Sequence, residues 1–185
     1  MPGPVTISLE SPHYLLRTLE TSDDGTAWCD WLNDPETSSL LNVQPSRLTP
    51  DEFRSYVSGF DRVNTHALGI FRRDGGRLVG LWSVYVDWAQ SRFLVNLLVG
   101  DRAERNRGVR LETADLVHRF FFEDLGLETE HCSAVESNAQ IRHILETKGW
   151  RQVSREQKTA PDGVTPVGIL HFILPRDVWR QRNSV

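Results

Sequence analysis

The sequence predicts a mixed α/β fold, one sheet flanked by helices, and two observations lead there. After a first strand, apolar residues recur at helical spacing from about residue 27 to 62, run as strands over 66–99, then switch between strand and helix to the end. No internal repeat and no tract rich in Pro, Gly or Ser divides the 185 residues, and that length suits one domain at ~100–200 residues each. The expectation is a single layered domain over 1–185.

Taken in order, the chain starts loosely near Pro2 to Pro4 and enters a first strand at 13–19, HYLLRTL. Ser22, Asp23 and Asp24 offer capping oxygens ahead of Ala27, Trp28, Trp31 and Leu32, which share a helical face. Thr49, Pro50 and Glu52 stand where an N-cap, a first-turn proline and a capping-box acid belong. Phe53, Val57 and Phe60 continue at i, i+4, i+7, predicting a helix over 49–62. HALGIFRR (66–73), the turn Asp74-Gly75-Gly76 and RLVGLWSVYVDW (77–88) form a hairpin. SRFLVNLLV (91–99) is a near-continuous apolar run, predicting a strand buried on both faces.

A loop, GDRAERNRG (100–108), leads to Val109, Leu116, Val117, Phe120 and Phe121, which predict a helix from Val109 to Asp124 with Gly126 as its stop. EHCSAVE (130–136) is a further strand, and Asn138 to Lys148 a helix closing on Gly149. Two last strands, about 150–156 and 166–174, flank Pro161-Asp162-Gly163.

Composition narrows the function classes. With 39% apolar and 25% charged residues the chain is an ordinary globular protein. No apolar run approaches the ~18 residues of a membrane span, and no charged-then-apolar leader opens it. Cys29 and Cys132 make at most one bridge, so a reduced cytoplasmic setting is expected. No H-x-x-x-H, C-x-x-C or carboxylate cluster suggests a metal. A net charge of -4 argues against a nucleic-acid partner. Against that balance stand four arginines in nine residues, Arg102 to Arg110.

That segment, VGDRAERNRGVRLETA (99–114), ends a strand, turns and starts a helix near Val109. Exposed amides at a helix start, backed by the helix dipole, hold a phosphate or pyrophosphate. Gly108 removes a Cβ where the chain turns, and Arg102, Arg105, Arg107 and Arg110 add planar cationic donors. A solvated basic loop before an ordinary helix fits the same residues. Neither the dinucleotide fingerprint nor GxxxxGK[ST] is present.

RNRGVR (105–110) resembles the pyrophosphate-binding R/Q-x-x-G-x-G/A signature of the GNAT acyltransferase superfamily. VGD (99–101) resembles the segment ending that family's fourth strand, and Glu112 matches the acid of the first helix turn. ESNAQIRHILETKGW (136–150) resembles its segment after the fifth strand, with Asn138 and Gly149-Trp150 in place. WLNDPE (31–36) is similar to the branch holding ribosomal-protein alanine, amino-sugar and some antibiotic acetyltransferases.

The resemblance implies a GNAT-like fold: a central, mixed, largely antiparallel sheet whose fourth and fifth strands splay apart. It implies acetyl-CoA, or another acyl-CoA, in the splay, with its pantetheine arm on the backbone of Leu97, Leu98 and Val99. The pyrophosphate would rest on amides of Arg105, Asn106, Arg107, Gly108, Val109 and Arg110, and Asn138 would touch the arm or an ordered water. The implied reaction is direct attack of a primary amine, from a small molecule or a protein N-terminus, on the thioester. No metal is required.

Two positions depart from the pattern. Arg110 replaces the final Gly/Ala, so its side chain turns outward, reaches a phosphate or obstructs the site. Leu145 stands where many members place the Tyr that protonates the thiolate. Candidate bases are Asp87 and Glu136, each equally a solvated strand-end carboxylate. Ser137 is placed to bond the thioester or to cap the next helix. Trp31 and Tyr85, with Trp28 and Trp88, line an acceptor pocket or belong to aromatic core. His118 and His143 read as packing or surface histidines. Two rivals share the fold: a non-catalytic acyl-CoA sensor, and an enzyme whose donor is an acyl carrier protein. A C-terminal edge strand leaves a homodimer open.

Overall fold

Strand pairing builds one eight-stranded sheet in a computed structural model that describes residues 3–40, 47–105, 107–160 and 162–183. The strands are β1 (Ser8–Glu10), β2 (Tyr14–Thr18), β3 (Thr65–Arg72), β4 (Leu78–Asp87), β5 (Arg92–Val99), β6 (Thr129–Val135), β7 (Arg151–Thr159) and β8 (Pro166–Pro175). Their order is β1-β2-β3-β4-β5-β6-β8-β7, and every neighbouring pair is antiparallel except β5 with β6. The predicted mixed, largely antiparallel sheet is therefore what forms.

Helices cover the two faces unequally. α1 (Thr26–Asn33) and α3 (Pro50–Ser58) press Trp28, Cys29, Phe53 and Val57 onto Leu19, Ala67, Phe71 and Leu81. α2 (Pro35–Leu40) follows α1 directly. On the other face, α4 (Val109–Arg119), α5 (Ala139–Thr147) and α6 (Arg176–Asn183) join the larger core through Val109, Val117, Leu145 and Val178. Burying each such side chain contributes roughly 1.5–3 kcal/mol.

Several boundaries differ from expectation, each for a local reason. The helix expected over 49–62 ends at Ser58, because Asp61 accepts from the amides of Val63, Asn64 and Thr65 and starts a turn. Its capping box is as predicted, with Thr49 and Glu52 bonded reciprocally. The helix expected to Asp124 changes at Phe120 to a wider π turn over Phe120–Asp124, where Phe121 and Phe122 stack around Phe93 at 5.1 Å each. Gly126 then takes a positive φ of 72°. β1, α2 and α6 were not expected: β1 has three residues, α2 six, and α6 is too polar to show an apolar face.

The instructive departure is β5. Only Phe93 and Val95 are buried, while Leu97, Leu98 and Val99 are half-exposed. The apolar run lines a gap in the sheet rather than its middle.

Candidate functional site

The gap follows from how far two strands stay together. β5 and β6 pair in parallel over Arg92–Leu94 and Thr129–His131, and no further. Beyond that, β5 pairs only with β4, where Leu97 faces Trp82 and Val99 faces Gly80, while Cys132–Val135 of β6 pairs only with β8. The backbone of β5 is thereby open on its β6 side from Val95 onward. An extended molecule with its own amides fits such an edge as an added strand would. The cleft holds about 390 Å³, with Val95, Leu97, Val135, Asn138, Ile141 and Leu145 in its walls.

At the wide end lies the arginine loop. Its acids anchor it: Glu104, 3% exposed, accepts from the Tyr14 hydroxyl at 2.8 Å and Asp101 pairs with Arg77. Burial and the Glu104 carboxylate push the Tyr14 phenol up. The first two arginines face the loop's own neighbourhood. Arg102 pairs with Asp34 (2.9 Å) and Glu36 (2.8 Å). Arg105 donates to Thr37 Oγ1 (2.8 Å), to the Val99 carbonyl (3.2 Å) and to the Gly100 carbonyl (3.3 Å). Its guanidinium thus ties the loop to α2, leaving its amide for a ligand, and it occupies one carbonyl of the open edge.

Gly108 caps α4 with φ +80°, a conformation that favours glycine, and its missing Cβ leaves open space there. The Arg107 amide donates to the Glu104 carbonyl at 3.2 Å, while its side chain is exposed and makes no hydrogen bond or ion pair among the described residues. Asn106 lies outside the described residues.

Arg110 does not turn outward. It is half-buried and lines the cleft together with Trp82, Val95 and Cys132. Those same four residues also line a second cavity of about 400 Å³ between α4 and α5. Its direction is set by α4, which is locked to β4 where Trp82 Nε1 donates to Thr113 Oγ1 at 3.0 Å. Burial pushes the Arg110 guanidinium down from its usual value, with Cys132 and Glu130 acting in opposition.

Asn138 caps α5, its Oδ1 accepting from the Ile141 amide at 3.1 Å, and lines the cleft. The capping role considered for Ser137 falls to Asn138 instead, and Ser137 is exposed. Leu145 is fully buried and offers no proton.

The expected bases stand elsewhere. Glu136 makes a bidentate pair with Arg155 (2.8 and 2.7 Å), which holds its carboxyl below the usual range. Asp87 pairs with Arg92 at 3.1 Å at the closed end of the sheet. It lies three strand positions beyond Val84, the partner of Val95, or about 10 Å. Trp31 and Tyr85 are not brought together: Trp31 packs on Gly100, and Tyr85 is paired with Leu94, six strand positions or about 20 Å away. Trp28 is core, stacked on Tyr56 at 5.1 Å, and the Trp88 indole donates to the Val63 carbonyl at 3.2 Å. His118 is buried against Glu130, Nε2 to Oε2 2.6 Å, whereas His143 is exposed.

A different group of polar residues does reach the cleft. Ser133 lies in its β6 wall, on the face opposite α4–α6, and its Oγ is 2.9 Å from His171 Nδ1. His171 Nε2 is 3.1 Å from Glu156 Oε1, and Lys158, also in the wall, is 2.8 Å from the same oxygen. Glu156 favours the tautomer protonated at Nε2, so Nδ1 accepts from the serine. Ser133, His171 and Glu156 lie on three strands, so no sequence spacing marked them. Only the β6–β8 register, which opposes Ser133 to His171, joins the first two.

No curated protein matches the chain. A solved structure of a probable acetyltransferase superposes with a TM-score of 0.80 at 16% identity, covering 94% of this chain and 99% of that one. A spermidine N-acetyltransferase from Vibrio cholerae, in complex with CoA and spermine, gives 0.78 at 12% identity, covering 90% and 97%. The ribosomal-protein-S5-alanine acetyltransferase from Vibrio fischeri gives 0.76 at 14%, covering 94% and 98%. At such identities these establish the shared fold. The acetyltransferase (GNAT) domain model matches residues 13–151, most of the chain and the whole of the cleft's β5 wall and arginine loop. The splayed strands, the glycine-capped helix and this match have one meaning: the chain belongs to the GNAT acetyltransferase family.

Proposed function

We propose that the protein transfers an acyl group from an acyl-CoA to a primary amine. The observation behind this reading is the open backbone edge of β5 leading from the Gly108 helix start to the narrow end of the cleft. That path suits a long donor: phosphates at the amides of the loop and first turn, amide groups along Leu97–Val99, thioester toward Val95. The residues present fit this group, since the Arg107 guanidinium and Asn138 Nδ2 keep unused donors there.

The chain's residues then have definite tasks. His171, oriented by Glu156, receives the amine's proton through Ser133 Oγ as the C–N bond forms. The C–S bond breaks, and the same route returns a proton to the departing sulfur. One proton is thus taken and one returned, which answers the absence of a donor at Leu145. Backbone N–H groups of β5 are aimed where the carbonyl oxygen gains charge.

The sensor reading rests on Leu145 and Arg110. The carrier-protein reading needs free basic surface, and Arg102 and Arg105 are already paired with Asp34, Glu36 and Thr37. Calorimetric titration with acetyl-CoA, followed by thiol release with a panel of polyamines, amino sugars and N-terminal peptides, tests the reading. Binding and amine-dependent release are expected, and absence of binding at millimolar CoA would sink it. Binding without release from any amine would favour the sensor.

A further inference from the structure

Beyond the narrow end of the cleft lies the second cavity, enclosed by α4, α5 and the start of β6. Its interior surface is largely apolar, with Trp82, Trp150, Ile144 and Leu174 among its walls. Two buried polar side chains also face it. Glu130 is 1% exposed and His118 8%, and they lie against one another at 2.6 Å. The cavity shares Arg110 with the cleft, on the α4 face that also presents Ala114 and His118 at i+4 and i+8.

Arg110 stands apart from the paired arginines, a property it shares with Arg107, Arg119, Arg142 and Arg151, which also lack an acidic partner among the described residues. Arg17, Arg62, Arg72, Arg92, Arg102 and Arg155 each have an acidic partner within 3.1 Å. Arg110 has neither hydrogen bond nor ion pair among the described residues, although it is half-buried where two cavities meet. Two acids line the cavity with it: exposed Asp115, and buried Glu130, which lies 2.6 Å from His118 Nε2. A half-buried guanidinium without a partner can take an anion, and a carboxylate matches its fork.

The position identifies which anion. A donor with its phosphates at the loop and its amides along Leu97–Val99 points its acyl group at Val95, Cys132 and Arg110. The Arg110 backbone lies in the first turn beside the phosphates, and its side chain extends from there into the cleft wall shared with Val95 and Cys132. We infer that the acyl group carries a terminal carboxylate, as in a short dicarboxylic acyl-CoA, which Arg110 binds at the entrance to the second cavity. This rests on the acyl-CoA reading above, and it makes Arg110 a specificity determinant instead of an obstruction.

Titration of the full chain with succinyl-CoA, butyryl-CoA and acetyl-CoA tests it without knowledge of the amine. Succinyl and butyryl chains have equal length and the same CoA, so their ratio isolates the carboxylate. The expected result is succinyl-CoA binding about tenfold or more tighter than butyryl-CoA, the worth of one charge-assisted contact. Arg110→Gln should collapse that ratio to near unity, and Arg110→Lys should retain part of it. Equal or tighter butyryl-CoA binding by the unsubstituted protein overturns the inference. So does an Arg110→Gln variant that weakens both donors alike, which would place Arg110 on the CoA phosphates. Acetyl-CoA binding without succinyl preference overturns this inference alone, whereas no binding by any of the three overturns the acyl-CoA reading with it.

Discussion

The two walls of the cleft are built differently. The β5 wall is a strand between a packed β4 and the locked helix α4, with its loop anchored by Glu104 and by Arg105. Its useful groups are backbone amides, positioned by burial around them. The β6 wall opens onto exposed β7, and its useful groups are side chains, Ser133, His171 and Glu156, laid across three strands. Rigid backbone suits holding a donor of constant shape. An open polar surface suits a proton transfer and a variable acceptor.

The largest effect expected from this contrast is on the β6 wall. His171→Gln should lower kcat by about 100-fold or more with the best amine found, the usual scale of lost acid–base catalysis. Acetyl-CoA affinity, measured by calorimetry, should change little by comparison. A parallel loss of affinity and thermal stability would instead make His171 a packing residue.

The β5 wall should break through stability. A Cβ at Gly100 would lie 1.8 Å from the Trp31 ring. Gly100→Val should therefore destabilise the chain by about 1–3 kcal/mol in urea unfolding, and Trp31→Ala should relieve part of that in the double variant. Additive effects would show that the two do not share a contact.

A smaller effect separates the arginines of the loop. Arg107→Ala should weaken acetyl-CoA several-fold, more at low salt than at high, because the side chain is exposed and unpaired. Equal affinity at all salt concentrations would remove Arg107 from the phosphate site. The smallest concerns the latch between Asp34 and Arg102. Hydrogen bonds from Thr37, then Arg102, hold the Asp34 carboxyl down to about 2. A folded value below the unfolded one means the latch stabilises above about pH 4 and is lost as pH falls toward 2. Trp31 fluorescence should report that window, and Asp34→Asn should abolish the change.

Much of this was legible from residue order because it depends on neighbours along the chain. The Thr49–Glu52 capping box, the Gly108 helix start and the turn at Gly126 are all local, and each formed as its residues predict. Asp87 and Glu136 were chosen for position alone, and arginines from other elements claim both. Trp31 and Tyr85 shared a chemistry but not a place. The relay was invisible because strand pairing, not spacing, assembles it.

The sequence by itself determined the elements, their order and the arginine-rich turn from strand to helix, since capping, periodicity and glycine conformations act within a few residues. It also exposed Arg110 and Leu145 as departures from the family pattern. Only the tertiary structure decided where those two side chains lie. The early parting of β5 from β6 opened the gap, the register of β6 on β8 set Ser133 against His171, and the Trp82–Thr113 bond turned Arg110 inward. Each depends on contacts between residues far apart in the chain, and local preferences do not encode such contacts.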